Sequence, residues 1–287
     1  MRDPNNDFAT MQRFMTSDGL SLAYQDSGRG LPLLCLPALT RGASDFDDLV
    51  AAVGDRHRFV RLTPRGRGAS DRDPIFTNYN VATEARDVVE LVDHLGLDSV
   101  VVIGTSRGGM VAMLLAAQAK ERLAGVLLND IGPELAPERL TIIMEWLGIA
   151  PGVATFEEAA TVLEARLGSQ FTGLTPERWL TLARRWYDEA PGGPALNYDP
   201  RLRDAVAADG GRPAVDMWPL FDALDGLPVA VVRGANSNRL TAEMVARMLE
   251  RRPDLIVAQV PERGHAPFLD EPEALVALEE LLAQVAA

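Results

Sequence analysis

The chain has 287 residues, with 28 Lys and Arg against 41 Asp and Glu, so its formal net charge is −13. This charge repels phosphate backbones and anionic lipid, which argues against binding to nucleic acid or to a membrane surface. Three separated histidines and the lone Cys35 provide neither a zinc site of the usual spacing nor an internal disulfide, so we expect no metal.

Strand-like and helix-like segments alternate through the first half of the chain, which predicts a mostly parallel sheet covered by helices. The alternation begins with a hairpin that turns at residues 17–19. The expected strands that follow cover residues 31–36, 57–62, 99–104 and 124–129. The expected helices between and after them cover residues 46–53, 81–95 and 110–119.

The pattern changes at about residue 133 and becomes helical as far as residue 218, with breaks at Pro and Gly. Alternation then resumes with strands at 229–233 and 255–260 and helices at 241–250 and 272–286. An all-helical block inserted between two strands of one sheet predicts a cap over the strand ends. We therefore divide the chain into a core at 1–133, a helical cap at 134–218 and a second core part at 219–287.

A serine stands on the turn between the strand at 99–104 and the next helix. Ser106 lies in Gly104-Thr105-Ser106-Arg107-Gly108-Gly109, which contains the pattern G-x-S-x-G. A tight strand-to-helix turn strains the backbone of its central residue, and the flanking glycines relieve the crowding. The helix N-terminus favours the negative charge that develops during attack on a carbonyl. We therefore predict that Ser106 is a nucleophile. A dinucleotide site is disfavoured, because no G-x-G-x-x-G follows the first buried strand.

A general base for this serine is expected on a loop after a late strand. His265 meets this condition, since it follows the strand at 255–260 and can reach the Ser106 hydroxyl from there. His57 enters a strand within a polar run, and His94 lies near the end of an amphipathic helix. Both are expected at the surface, so His265 is the predicted base.

Two backbone N–H groups are needed to stabilise the oxyanion that forms during attack. One is expected from Arg107, the residue after the nucleophile. The other is expected from the loop at 37–41, where Leu39 is the first choice and Thr40 the alternative.

These motifs resemble those of the α/β-hydrolase fold family over nearly the whole chain, with the greatest similarity to capped esterases, enol-lactonases and carbon–carbon bond hydrolases. Further matching runs are Arg65-Gly66-Arg67-Gly68-Ala69-Ser70-Asp71, Leu128-Asn129-Asp130-Ile131-Gly132-Pro133 and Gly264-His265-Ala266-Pro267-Phe268. The resemblance implies an eight-stranded, mostly parallel sheet with helices on both faces, an inserted helical cap, a Ser-His-acid triad and no cofactor. The oxyanion strand of the family usually ends in His-Gly or Pro-Gly, and Pro37-Ala38 replaces that pair here.

The acid of the triad departs from the family pattern. The family places it after the strand that follows the cap, in a run like Arg-Gly-x-x-Ser-Asp, and this chain has Arg233-Gly234-Ala235-Asn236-Ser237-Asn238. Three alternatives follow. Asn238 orients His265 through its carbonyl oxygen, or Asp130, just after the strand at 124–129, supplies the carboxylate instead. Otherwise the protein is an impaired hydrolase that binds ligand and turns over poorly. Asp130 also suits a simple turn-capping role.

We therefore expect a serine hydrolase that cleaves a carboxylic ester, lactone or related acyl compound through an acyl-enzyme. One alternative is hydrolysis of a carbon–carbon bond in a vinylogous diketone by the same residues. Another is a catalytically weak ligand-binding protein on the hydrolase scaffold.

The surroundings of this site are also predicted. All four tryptophans fall in or beside the inserted block, which favours an apolar or aromatic acyl substrate unless these rings form the core of the block itself.

The expected location follows from the start of the sequence. No apolar stretch follows the first residues, so we expect no signal peptide and a cytoplasmic protein. A homo-oligomer is compatible with the sequence.

Overall fold

The computed structural model describes residues 11–134, 139–210 and 216–287. Its strands in those ranges are β1 (Gln12–Met15), β2 (Ser21–Ser27), β3 (Pro32–Leu36), β4 (Arg58–Leu62), β5 (Val100–Thr105), β6 (Leu123–Asn129), β7 (Tyr187–Ala190), β8 (Gly193–Leu196), β9 (Val229–Gly234) and β10 (Ile256–Val260). Eight of them form one sheet in the order β1-β2-β4-β3-β5-β6-β9-β10. The strand β2 is antiparallel to both of its neighbours, and every pair from β4 to β10 is parallel. The predicted eight-stranded, mostly parallel sheet is confirmed.

Helices cover both faces of this sheet. Those described are α1 (Asp47–Val53), α2 (Val81–His94), α3 (Arg107–Gln118), α4 (Arg139–Met144), α5 (Phe156–Leu167), α6 (Pro176–Trp186), α7 (Leu202–Gly210), α8 (Trp218–Asp222), α9 (Ala242–Arg251) and α10 (Pro272–Val285). Helices α2, α3, α8 and α9 contribute to the apolar core on one face, and α1 and α10 contribute to the core on the other. None of the described helices is long and apolar enough to cross a membrane.

The buried strands explain why the two faces are both covered. Side chains alternate along a strand, so Leu34 and Val102 enter the core under α2 and α3, while Leu33 and Val101 enter the core under α1 and α10. All four are essentially inaccessible to solvent. A continuous apolar run such as residues 31–36 therefore marks a strand that needs a helical layer on each side.

The predicted elements of the core agree with the observed ones to within one or two residues, with one exception. Helix α3 begins at Arg107, directly after Ser106, whereas the apolar periodicity predicted a start at Met110. The first turn of α3 contains Gly108 and Gly109, which carry no apolar side chain and so leave no periodic signal.

The inserted segment, which we define as the chain between β6 and β9, departs from the expected all-helical block. It contains helices α4 to α8, and also the antiparallel hairpin β7–β8 that follows α6. The prediction of an exclusively helical segment is wrong at this hairpin, because its strands have only four residues each and turn at Gly192 and Gly193, which have positive φ angles.

The aromatic residues of the inserted segment mostly pack against one another. Trp179 and Trp186 belong to a small apolar core together with Phe171 and Leu163, and both indole rings are buried. Trp146 packs beside a second cluster that contains Tyr198, and Trp218 packs onto the main sheet core. These rings therefore serve first to hold the segment together and to join it to the sheet.

Candidate active site

Three polar residues meet at the carboxyl ends of the parallel strands. Ser106 follows β5, Asp130 follows β6, and His265 lies on the loop after β10. Because β5, β6, β9 and β10 are consecutive neighbours, the loops at their carboxyl ends lie side by side at one edge of the sheet. Ligands of open α/β sheets commonly bind at this edge.

The backbone at Ser106 has the strained geometry that its motif predicts. Its φ angle is 51° and its ψ angle −108°, in a region that residues with a side chain rarely occupy. A Cβ atom at Gly108 would lie 2.0 Å from the carbonyl oxygen of Leu36, and one at Gly104 would lie 2.6 Å from that of Gly108. The two glycines thus allow helix α3 to approach the ends of β3 and β5 closely, which raises the Ser106 hydroxyl above the sheet.

A continuous hydrogen-bonded chain joins the three polar residues. The Ser106 Oγ lies 2.8 Å from Nε2 of His265, and Nδ1 of His265 lies 2.7 Å from Oδ2 of Asp130. Asp130 is fully buried, whereas the His265 side chain keeps 22% of its surface exposed. The buried carboxylate faces the imidazole, and the hydroxyl lies on the accessible side. This arrangement can move a proton from the serine to the histidine.

Asp130 is held rigidly by groups from the neighbouring strand β9. Its Oδ1 accepts a hydrogen bond of 2.9 Å from the backbone N–H of Gly234, and its Oδ2 also accepts one from the hydroxyl of Ser237. The residue has a positive φ of 55°, a conformation that Asp tolerates better than most residues. The carboxylate is therefore fixed as an acceptor for the imidazole.

Asn238 does not take part in this arrangement. Its side chain is exposed, and the carboxylate that faces His265 belongs to Asp130 instead. The hypothesis that Asn238 orients the imidazole is thus contradicted by the geometry. The physical reason lies in the turn after β9, which directs Ser237, one residue earlier, toward the buried carboxylate.

Ser237 is a contributor that the sequence reasoning missed. The signal was present, since Ser237 is the serine of the Arg-Gly-x-x-Ser run and directly precedes the position where the family places its acid. Its hydroxyl donates to Asp130 and accepts from the backbone N–H groups of Arg239 and Leu240. It therefore connects the acid to the turn that follows β9.

The predicted oxyanion donors lie on the loop after β3 and at the start of α3. Arg107 is the first residue of α3, so its N–H has no acceptor within the helix. On the other side, the N–H of Arg41 donates to the carbonyl of Ala38 at 3.0 Å and closes a turn around Leu39 and Thr40. A trans peptide directs its carbonyl and N–H in opposite directions, so the N–H of Leu39 points away from that bond and out of the turn.

A buried ion cluster links these two donors. Oε2 of Glu84 accepts a hydrogen bond of 2.7 Å from Nε of Arg107, and its Oε1 forms a salt bridge of 2.9 Å with Nη2 of Arg67. Arg67 in turn donates through Nε to the carbonyl of Leu39 at 2.7 Å. One carboxylate is therefore connected, through two arginines, to both residues whose N–H groups are the predicted oxyanion donors.

Glu84 was also missed from the sequence, although a signal existed. It lies on the same stripe of α2 as Val81 and Val88, where an amphipathic helix normally presents apolar residues to the core. Burial by itself would raise the pKa of Glu84, but the Arg107 and Arg67 guanidinium groups outweigh burial and lower it. The group is therefore a buried carboxylate in its charged form.

In the described ranges, no cluster of three His, Cys, Asp or Glu side chains is arranged to hold an ion. Cys35 is fully buried in β3, and burial raises the pKa of its thiol to about 12. It is therefore a small core residue without nucleophilic character at neutral pH.

Comparison with known proteins agrees with this geometry. A family model described as the alpha/beta hydrolase family matches residues 33–278. The chain is 36% identical over 258 residues to a 3-hydroxybutyrate-oligomer hydrolase of Cupriavidus necator, covering 85% of this chain and 86% of that protein. It is 26% identical over 247 residues to a 2-(acetamidomethylene)succinate hydrolase of Mesorhizobium japonicum, covering 86% and 85% of the two chains.

A solved structure gives the same result. An alpha/beta hydrolase from Novosphingobium aromaticivorans is 37% identical to this chain and superimposes with a TM-score of 0.89, covering 96% of this chain and 98% of that one. The family match spans most of the chain, and the relatives are named as hydrolases. The protein therefore belongs to the alpha/beta hydrolase family and is an enzyme of that family.

Proposed function

We propose that the protein hydrolyses carboxylic esters through an acyl-enzyme formed on Ser106. The observation that carries this proposal is the chain of hydrogen bonds of 2.8 Å and 2.7 Å from the Ser106 hydroxyl through His265 to the buried Asp130. With Nδ1 protonated toward Asp130, Nε2 of His265 has its lone pair available to the serine hydroxyl. The imidazole is then a base in the correct tautomer.

The reaction proceeds in two halves. As Ser106 Oγ attacks the ester carbonyl carbon, its proton passes to Nε2 of His265, and the carbonyl oxygen becomes an oxyanion. The N–H groups of Arg107 and Leu39 donate to that oxyanion. The intermediate then expels the alcohol, which takes the proton from His265, and leaves an acyl-serine. Water repeats the sequence and releases the acid, regenerating Ser106 with its proton.

Asp130 stabilises the positive charge that His265 gains in each half-reaction. The backbone of Gly234 and the hydroxyl of Ser237 fix this carboxylate, so no reorganisation is needed when the imidazole becomes charged. The alternative of a catalytically weak ligand-binding protein depends on Asn238 at the position where the family has its acid. The Asp130 carboxylate at 2.7 Å from His265 supports an active hydrolase over that alternative.

The substrate class is part of the proposal. The similarity of 36% identity to a 3-hydroxybutyrate-oligomer hydrolase supports a short oligoester of a hydroxy acid. An aromatic acyl group, expected from the tryptophan content, has weaker support, since Trp179 and Trp186 are buried in the core of the inserted segment. We propose that this segment is the cap of the substrate site, with the core divided at residues 133 and 219 as predicted.

Labelling with a fluorophosphonate tests the proposal. We expect one adduct per chain, located on Ser106 by peptide mass spectrometry, and no adduct in Ser106→Ala. Hydrolysis of p-nitrophenyl butyrate and of the 3-hydroxybutyrate dimer should disappear in the same variant. Hydrolysis of both esters that persists in Ser106→Ala, together with no adduct on the wild-type protein at high probe concentration, would overturn the proposal. Cleavage of a vinylogous diketone without ester hydrolysis would instead favour carbon–carbon bond hydrolysis.

A further inference from the structure

Arg41 stands apart from the other well-buried arginines near the site. Its nearest carboxylate is that of Asp45, whose Oδ1 lies 3.9 Å from Nε, which is beyond hydrogen-bond distance. Among the described residues, no side-chain or backbone oxygen accepts a hydrogen bond from its guanidinium group. The side chain is only 19% exposed, and none of its nitrogens is completely shielded from solvent. Its N–H donors are thus available to a small molecule.

The neighbouring arginines show how unusual this is. Arg65, which is fully buried, donates to Asp18, Asp73 and Asp87. Arg185, with 10% exposure, forms two hydrogen bonds to the carboxylate of Asp48. A buried guanidinium group is normally satisfied in this way, because an unpaired charge away from water is costly.

The guanidinium group of Arg41 is nonetheless held in place. Its central carbon lies 3.6 Å from the ring centroid of Trp186 in the inserted segment, so the group stacks on the indole face. The same indole donates through Nε1 to Asp45 at 3.2 Å. Stacking fixes the plane of the guanidinium group without using its N–H donors. These donors therefore remain free to bind an acceptor.

The charge around Arg41 favours an anion. Burial lowers the pKa of Arg41, the Asp45 carboxylate opposes this effect, and a second cation, Arg166, is near enough to lower it further. Asp45 does not neutralise Arg41 fully, since its Oδ1 is 3.9 Å from Nε and accepts a hydrogen bond from Trp186 instead. A bound carboxylate would pair with Arg41 at close range and accept hydrogen bonds from its free N–H groups.

Arg41 also shares a turn with the proposed oxyanion donor. The hydrogen bond from its N–H to Ala38 closes the four-residue turn that presents Leu39, the proposed oxyanion donor. Only Thr40 separates Leu39 from Arg41, so their Cα atoms are at most about 7 Å apart. Arg41 and the proposed oxyanion donor therefore lie on one short turn, where a single small substrate can contact both.

We propose that Arg41 is the substrate-binding residue for a carboxylate located a few bonds from the scissile ester. This inference rests on the proposed function and deepens it, because a linear hydroxy-acid oligoester ends in a free carboxylate. A neutral ester of similar size has no group for Arg41 to bind. Arg41 therefore determines specificity for anionic oligoesters over neutral esters.

The test compares a charged and a neutral substrate. In Arg41→Gln, KM for the 3-hydroxybutyrate dimer should rise about 10- to 100-fold, the loss expected for charge-assisted hydrogen bonds. KM for the methyl ester of the same dimer should change less than threefold. Arg41→Lys should reverse part of this rise in KM, because lysine keeps the positive charge but lacks the planar guanidinium group with its paired N–H donors. Arg251→Gln, which removes an exposed arginine paired with Asp222, is the matched control and should leave both substrates unaffected.

Binding without turnover separates this inference from the proposed function. Calorimetry with Ser106→Ala should detect the dimer, and Ser106→Ala/Arg41→Gln should bind it at least tenfold more weakly. A structural role for Arg41 would instead lower Tm and raise KM equally for the dimer and its methyl ester, which would overturn the inference while ester hydrolysis persists. Equal affinity of the two Ser106→Ala proteins for the dimer would overturn it as well. If the wild-type protein neither hydrolyses any of these esters nor reacts with the fluorophosphonate, the proposed function is refuted, whatever the binding measurements show for Arg41.

Discussion

The backbone N–H of Gly234 donates a hydrogen bond of 2.9 Å to Oδ1 of Asp130. Gly234 is the last residue of β9, and Asp130 immediately follows β6, its neighbour in the sheet. The end of one strand therefore provides the carboxylate, and the end of the next provides the donor that fixes it. The carboxylate that faces His265, at 2.7 Å from Nδ1, thus lies one strand away from the position expected from the family pattern.

This relationship predicts opposite outcomes for two substitutions. Asp130→Asn should lower kcat for p-nitrophenyl butyrate by up to about 10⁴-fold, the effect of the corresponding change in serine proteases, because the imidazole loses its tautomer control and its counter-charge. Asn238→Asp should change kcat less than threefold, since its exposed side chain does not reach His265. Steady-state kinetics of both variants provide the measurement. A large gain in kcat on Asn238→Asp would show that the acid position is Asn238 after all.

Ser237 should contribute by holding Asp130 rather than by touching substrate. Ser237→Ala removes the hydroxyl that donates to Oδ2 and leaves the N–H groups of Arg239 and Leu240 without this acceptor. We expect kcat to fall about 3- to 30-fold with KM unchanged, the cost of one weakened charge-assisted hydrogen bond. Ser237→Thr, which keeps the hydroxyl, should recover most of the rate. An unchanged kcat in Ser237→Ala would mean that Gly234 alone fixes the carboxylate.

The sequence predicted most of the core and part of this site, for identifiable physical reasons. Buried strands such as residues 31–36 are continuous apolar runs, and the turn at Ser106 needs glycines, so both leave local signals. The choice between Asn238 and Asp130 depends on which of the two side chains reaches His265. That contact joins residues from different strands, so no local sequence pattern indicates it. Glu84 was overlooked for a related reason, because its arginine partners are distant in the chain.

Glu84 should support the oxyanion donors through its two arginines. In Glu84→Gln, Arg107 and Arg67 lose their shared counter-charge, and the segments that carry Arg107 and Leu39 can shift relative to each other. Direct loss of an oxyanion donor costs about 10²- to 10³-fold in kcat, so a displaced pair should cost about 10- to 100-fold, with little change in KM. Glu90→Gln, an exchange on the same helix away from both arginines, is the control. An unchanged kcat in a folded Glu84→Gln protein would rule out this positioning role.

The same carboxylate should make stability depend on pH. Its guanidinium neighbours lower its pKa below the ordinary value of 4.5, against the opposing effect of burial. A group with a lowered folded-state pKa contributes stability above its unfolded-state pKa, and this contribution is lost as pH falls through the folded-state value. The difference in Tm between the wild type and Glu84→Gln should therefore be largest near pH 7 and shrink below about pH 4.5. Thermal unfolding from pH 3 to pH 7 measures it, and a constant difference across that range would contradict the assignment.

Asp48 should control how firmly the inserted segment is held against the sheet. It lies on α1 and accepts hydrogen bonds of 2.8 Å from Arg178 and 2.6 Å from Arg185, both on α6. Burial alone would raise the pKa of Asp48, but the bonds to Arg185 and Arg178 outweigh it and lower the pKa, so the carboxylate is charged at neutral pH. Asp48→Asn keeps the volume and removes the charge that both arginines share.

In Asp48→Asn, amide hydrogen exchange in α6 and in the β7–β8 hairpin should become at least about tenfold faster, because a charge-assisted contact worth about 1.5–3 kcal/mol is weakened. Exchange in α10, on the core, should not change. Asp222→Asn removes one partner of an exposed surface pair with Arg251 and should leave α6 unaffected, which controls for the loss of a charge. Faster exchange throughout the sheet would indicate global destabilisation, and unchanged exchange in α6 would show that apolar packing alone holds the segment in place.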